Sequence, residues 1–288
     1  MKTRKQLLYA YGFLGSIITI LLLLLLRFTW LFPGEKPPER ESPGEGVTEK
    51  PPEEKPPSKG DIYIIIDDVG YGLKELEPFL KLDIPMTFAV LPRLRYTVEA
   101  ARTLHDQGKQ VILHQPMEPL GDENPGEGAV YTGMKPEEIR RVLDENLKEN
   151  PFAVGMNNHM GSKVTSDPEA MKVILGFAKE KKLYYLDSYT TGSSVGKAVA
   201  DTVKLRFTWR NSMFLDNDRH RESILEALRA GLETAEKRGH AVMIGHIMSN
   251  ELAEILLEIY PELLEEGYSF KELSSLFTEN FIDDDPGY

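Results

Sequence analysis

Between residues 61 and 281 short apolar runs alternate with amphipathic stretches, and that alternation restricts the chain to a small set of folds. Ile62-Tyr63-Ile64-Ile65-Ile66 is a continuous run of β-branched and aromatic residues, the pattern of a strand buried on both faces. Met86–Leu91, Gln110–His114, Ala153–Met156, Leu183–Leu186 and Ala241–Ile244 read the same way, with Met213-Phe214-Leu215 a shorter candidate. Helices fill the intervals. Asp167 before Pro168 is a cap followed by a first-turn proline, and Pro136-Glu137-Glu138 opens a helix running to about Glu149. Asn217 or Asp218 is expected to cap a helix over about Arg219–Arg238, stopped by Gly239. Leu252, Ile255, Leu256, Ile259 and Leu263 line one face of another helix. Strands separated by helices imply a mainly parallel sheet, covered on both faces or closed into a barrel.

The remainder of the chain differs in composition. Residues Leu7–Leu26 carry no charge, and twenty helical residues rise about 30 Å, enough to cross a bilayer. Lys2, Arg4 and Lys5 precede the run, which predicts a cytoplasmic N-terminus. The run is long for a cleaved signal peptide, and no A-x-A-like site follows it. Residues 33–60 are dominated by Pro, Glu, Lys and Gly and predict an extended, disordered linker. The expected organisation is an N-terminus and single-span anchor over 1–32, a linker over 33–60, a globular domain over 61–281 outside the cytoplasm, and an acidic tail over 282–288. The net charge of −12 argues against a general nucleic-acid binder, and the absence of Cys excludes a disulfide scaffold, a thiolate metal site and a Cys nucleophile.

In parallel α/β folds chemistry sits past the C-terminal ends of the strands. The predicted strands end in Asp67-Asp68-Val69-Gly70, His114-Gln115-Pro116-Met117-Glu118, Asn157-Asn158-His159, Asp187-Ser188 and Gly245-His246. Three of the six histidines fall at this one edge. His105, His220 and His240 read as surface or packing residues. One carboxylate and two imidazoles make a three-ligand divalent site with an open position, and Asp68, His114 and His159 supply those types from three strands. Adjacent side chains at a strand end point to opposite faces, so Asp67 and Asp68 need not both bind metal, and the spare Asp67 is placed to take the proton of an attacking water. His246 is a candidate to protonate a leaving group, and Asp187 to orient a histidine or bind substrate. Asn157, Asn158, Glu118 and Ser188 are candidate substrate-binding or supporting groups. Tyr189 and Trp209 are candidate ligand-stacking rings, and Arg93 and Arg95 candidate anion contacts on the same rim. Together these residues point to metal-assisted hydrolysis, with Zn²⁺ the default ion for an Asp-His-His set.

At these residues the sequence resembles the divergent polysaccharide deacetylase family, a branch of the NodB-like carbohydrate esterases. The resemblance is carried by Ile66-Asp67-Asp68-Val69-Gly70, His114-Gln115-Pro116-Met117-Glu118-Pro119, Gly155-Met156-Asn157-Asn158-His159-Met160-Gly161-Ser162, Asp187-Ser188, Phe214-Leu215-Asp216-Asn217 and Gly245-His246. It implies a distorted (β/α) barrel of about seven strands. It also implies metal-dependent N-deacetylation of an acetylated polysaccharide, with Asp67 as base, Asp68 and two histidines as ligands and His246 as acid. Two departures stand out. His114 and His159 are 45 residues apart, where the wider superfamily spaces its metal histidines by four. Ile247-Met248-Ser249 follows His246 where a proline or another polar residue is expected. The second departure keeps open an alternative of another class: a degenerate barrel that binds glycan or an envelope partner without turnover.

Overall fold

The computed structural model describes residues 57–278. The expected anchor, the linker up to residue 56 and the acidic tail lie outside the described residues. Among the described residues no helix is long and apolar enough to cross a membrane.

Eight strands form one sheet: β1 Gly60–Val69, β2 Thr87–Val90, β3 Gln110–Met117, β4 Gly155–Met160, β5 Tyr184–Asp187, β6 Phe207–Trp209, β7 His240–His246 and β8 Tyr268–Phe270. Every pairing is parallel, and seven strands follow the order β6-β5-β4-β3-β2-β1-β7. The short β8 pairs with Gly60–Ile62 of β1. The helices are α1 Leu76–Leu80, α2 Thr97–Asp106, α3 Pro136–Glu149, α4 Pro168–Glu180, α5 Gly196–Val203, α6 Arg221–Arg238 and α7 Asn250–Glu265. The expected α/β barrel is therefore present, nearly closed, with β6 and β7 at its two edges.

A seam replaces the last ladder. The expected strand over Met213–Leu215 is not one; Phe207–Trp209 takes that place in the order. Side chains rather than backbone bridge to β7. Asn211 Oδ1 accepts from the Val242 N–H at 2.7 Å, and the Ser212 hydroxyl donates to the Val242 carbonyl at 3.1 Å. Only Leu215 makes a backbone contact there, its N–H donating to the Ile244 carbonyl at 2.8 Å.

Local signals explain most helix ends. Asp167 accepts from the Glu169 and Ala170 N–H groups and Pro168 opens α4. Gly239, at φ 82°, ends α6 in the left-handed conformation that lacks a Cβ penalty. The start of α6 differs from expectation: it begins at Arg221, because Asp218 turns its carboxylate to the His220 N–H and the Ser223 hydroxyl.

The period of two along each strand divides the core. Tyr63, Ile65, Ala89, Ile112, Tyr184, Leu186, Val242 and Ile244 form one cluster, the barrel interior. Ile62, Ile64, Ile66 and their counterparts pack outward against helices. The end of the barrel at the first residues of β2 and β3 is closed by the short 3-10 helix Leu273–Phe277, whose Leu273 and Leu276 join the interior cluster. Gln110 anchors that plug. Its Oε1 accepts from the Thr87 hydroxyl at 3.1 Å, the Tyr184 hydroxyl at 2.8 Å and the Ser274 N–H at 3.1 Å. Replacing Gln110 by Leu leaves these buried donors unsatisfied and is expected to destabilise the domain by about 2–4 kcal/mol, read by urea unfolding. A change within experimental error would contradict the plug's role.

Candidate functional site

The same alternation that fills the barrel delivers the polar residues to its mouth. Continuing the inward positions past Ile65 gives Asp67; past Ile112, His114; past Leu186, Ser188; past Ile244, His246. On β4, Asn157 pairs in register with His114, and His159 with Pro116. Asp67 is the register partner of His246.

Asp68 breaks the alternation. The β1–β2 register shifts between Ile66 and Val69, and Asp68 has φ 62°. The expectation that Asp67 and Asp68 face opposite sides is corrected, because the bulge turns both carboxylates toward His114. Asp68 Oδ1 lies 3.2 Å from His114 Nε2, and Asp67 Oδ2 lies 3.8 Å from the same atom. Among the described residues six non-glycine positions have positive φ, and Asp68, Arg93, Met160 and Tyr189 of these stand at strand ends on this rim. Strained backbone of this kind collects where a site must hold a set geometry.

Three ligand atoms converge. Asp68 Oδ1 is 2.9 Å from His159 Nδ1, and His159 Nδ1 is 3.2 Å from His114 Nε2. Ligands bound about 2.0–2.1 Å from a tetrahedral ion stand about 3.3 Å apart, so Asp68, His114 and His159 fit a divalent ion. The His114 Nδ1–H donates to Asn157 Oδ1 at 2.8 Å, which orients the ring and leaves Nε2, facing Asp68, as the atom that would ligate an ion in place of its own proton. The Asn157 amide nitrogen donates to Asp67 Oδ1 at 2.9 Å and Ser188 Oγ at 3.2 Å. One buried amide thus ties a ligand to the neighbouring carboxylate.

The electrostatics follow the same contacts. Burial pushes the Asp67 carboxyl above its ordinary range, against the pull of His114 and His246. Burial alone would raise Asp68 as well, but hydrogen bonds from His114 and His159 hold it well below the usual carboxylate range. Burial opposes charge on His246, yet Asp216 outweighs it and His246 is pushed up to about 9. Asp216 stands within the stretch Phe214–Asn217 that carries the family resemblance, but no role was assigned to it from the sequence. Asp216 is buried, accepting from the His246 ring Nδ1 at 2.8 Å and from its backbone N–H at 2.9 Å. Its signal was the acid directly after the apolar run Met213–Leu215, as Asp67 follows Ile62–Ile66.

Other candidates are placed elsewhere. Asp187 faces away from the histidines: it accepts from the Ser194 hydroxyl at 2.5 Å and the Tyr189 N–H at 2.8 Å. Asn158 braces β4 to β5, accepting from the Ser188 N–H and the Tyr185 hydroxyl and donating to the Met160 carbonyl. Glu118 accepts from Thr132 and Lys163 and fastens the loop after β3. Ser188 does reach the site through Asn157. Trp209 is buried beside Phe207, so its face is closed to a sugar ring, whereas Tyr189 is half-buried. Arg93 is engaged by Glu145, Asn146 and Glu149, while Arg95 is exposed over Tyr96. The Ile247-Met248-Ser249 departure is a helix start: Ile247 is buried, and Ser249 caps α7 by accepting from the Leu252 N–H.

Known proteins resemble the chain in sequence and in fold. The sequence profile of the divergent polysaccharide deacetylase family matches residues 64–277. An uncharacterized protein of Haemophilus influenzae is 31% identical over 196 residues, covering 68% of this chain and 70% of that protein. The uncharacterized protein YibQ of Escherichia coli is 31% identical over 187 residues, 65% of this chain and 58% of YibQ. The crystal structure of an uncharacterized protein from Agrobacterium tumefaciens has the same fold, with a TM-score of 0.70 at 17% identity, over 76% of this chain and 90% of that one.

The contact between Asn157 and His114 makes a measurable demand. Asn157→Ala is expected to weaken binding of a divalent ion by about 10–100-fold, measured by calorimetry against a competing chelator. Unchanged affinity would show that the amide does not support a metal ligand.

Proposed function

The chain belongs to the divergent polysaccharide deacetylase family, and from that premise we propose that it is a metal-dependent hydrolase removing N-acetyl groups from a polysaccharide. The observation that carries the reading is the three-atom triangle of Asp68, His114 and His159, flanked by Asp67 and by the His246–Asp216 pair. A divalent ion there, zinc by the chemistry of the donors, supplies Lewis acidity that eases deprotonation of water and polarises the acetyl carbonyl.

The chain's own groups do the proton work. Asn157 holds Asp67 Oδ1, which leaves Oδ2 on the side of His114 to accept the proton of the attacking water. Asp216 fixes His246 through Nδ1, so Nε2 carries the proton available to the departing amine. With its pKa at about 9, His246 stays protonated at neutral pH. Acceptor and donor come from adjacent strands in direct register, which lets both face one substrate amide. The turn after His246 caps α7 and leaves the His246–Asp216 contact in place, which favours turnover over the degenerate alternative. The uncharged run Leu7–Leu26 and the linker at 33–60 support tethering at the cell membrane and an envelope or extracellular glycan as substrate.

The test is acetate release from N-acetylglucosamine oligomers and from peptidoglycan by the metal-loaded protein. Asp67→Asn is expected to lower the rate by about 10²–10⁴-fold while retaining the ion. No release by the wild type on any N-acetylated glycan would overturn the catalytic reading.

Asp216→Asn is expected to bring the His246 pKa down toward its ordinary 6.5 and to move the alkaline limb of the rate profile to lower pH. Activity at pH 8 then falls more than activity at pH 6. The same pair makes stability pH-dependent. The folded pKa is raised, so its contribution is complete below about pH 6.5 and is lost as pH rises through about 9. In Asp216→Asn that dependence should flatten. A rate profile and a stability profile identical to the wild type would contradict the pairing.

A further inference from the structure

Arg210 follows β6 at the seam where β6 and β7 lack a ladder. Its backbone N–H donates to the Asp187 carbonyl at 2.9 Å and extends the β5 pairing. Its guanidinium gathers three backbone carbonyls. Nε donates to Ser188 at 3.0 Å, Nη2 to Tyr189 at 3.1 Å, and Nη1 to Ser212. One planar cation thereby binds the turn after β5 to the turn after β6.

Each bound segment leads to one side of the site. Ser188 accepts from the Asn157 amide, which also holds Asp67 and His114. Its hydroxyl donates to the Asn158 carbonyl at 2.8 Å, so Ser188 is fixed on both faces. On the other side, the Arg210 guanidinium lies 4.0 Å over the centre of the Phe214 ring. Phe214 in turn stands 5.5 Å from the His246 ring, tilted by 30°. Two residues beyond Phe214 is Asp216, the partner of His246. The Tyr189 carbonyl held by Nη2 belongs to a residue with φ 51°, a conformation that needs support from its surroundings.

We infer that Arg210 is a positioning residue: by joining Ser188, Tyr189 and Ser212 and stacking on Phe214, it sets the placement of His246 relative to Asn157, His114 and Asp67 across the barrel seam. It acts on them through these neighbours. Lysine keeps the charge but presents a single ammonium, which cannot reproduce a flat three-way fork lying on a ring. The kinetic part of this inference rests on the reading of Asp67 and His246 as proton acceptor and donor; the structural part does not.

The experiment is histidine-selective ¹³C labelling of the full chain, whose six histidines give six ring signals. In Arg210→Lys the His246 and His114 signals are expected to move, with His105, His220 and His240 in place. Phe214→Leu should move His246 alone, by removing the ring current of its neighbour. On N-acetylglucosamine oligomers Arg210→Lys should lose about tenfold or more in kcat with KM changed by less than about threefold, since a misplaced group affects the reacting geometry more than binding. If Arg210→Lys leaves every ring signal at its wild-type position, or Phe214→Leu leaves His246 unmoved, the inference fails. If Arg210→Lys displaces all six signals, it has unfolded, and the Phe214→Leu spectrum decides. A wild-type protein that releases no acetate overturns the deacetylase reading, and the spectra still decide the clamp.

Discussion

Everything at the mouth of this barrel depends on how two imidazole nitrogens and one carboxylate oxygen can share a space about 3 Å across. His114 Nε2, His159 Nδ1 and Asp68 Oδ1 stand 2.9–3.2 Å from one another. His114 has already committed its Nδ1–H to Asn157, so Nε2 is the atom left to ligate an ion in place of its own proton. The donor types and their spacing suit a divalent metal set among them. The surrounding groups are arranged about that requirement. Asn157 orients the ligand, Asp67 shares the same amide, and His246 approaches from the adjacent strand.

The barrel makes this arrangement inexpensive to build. Each strand contributes inward positions at a period of two; the lower ones are Tyr63, Ile65, Ile112, Leu186, Val242 and Ile244, and the next ones up are Asp67, His114, Ser188 and His246. A ligand set 45 residues apart in sequence is therefore local in space, since β3 and β4 are neighbours and His114 pairs with Asn157. The side of the barrel that lacks a ladder is where side chains must do the joining. Asn211 and Ser212 carry that function between β6 and β7, and Arg210 joins the turn after β6 to the turn after β5.

Much of this was legible in the order of residues, for a physical reason. Buried parallel strands read as continuous apolar runs, so Ile62–Ile66 and Ala241–Ile244 announce themselves, and so do the polar residues that end them. What was not legible is where geometry departs from the simple period. Asp68 reaches the metal triangle only through a bulge with φ 62°, which the Asp67-Asp68 pair does not encode by alternation. Asp187 and Asn158 sit at strand ends yet turn outward, into the loop before α5 and the β4–β5 edge respectively. Trp209 occupies a strand too short to show a pattern, so its burial was hidden. Asp216 follows a segment whose hydrogen bonds to β7 are made partly by side chains, and no strand periodicity marks it.

The account's central claim is that Asp68, His114 and His159 hold one divalent ion. The most direct measurement is an anomalous diffraction map of crystals grown with zinc, recorded on both sides of the zinc edge. The account predicts a single strong peak about 2.0–2.2 Å from Asp68 Oδ1, His114 Nε2 and His159 Nδ1. A map with no peak among those three atoms at saturating zinc, or with the three side chains turned apart around a peak elsewhere, would contradict it.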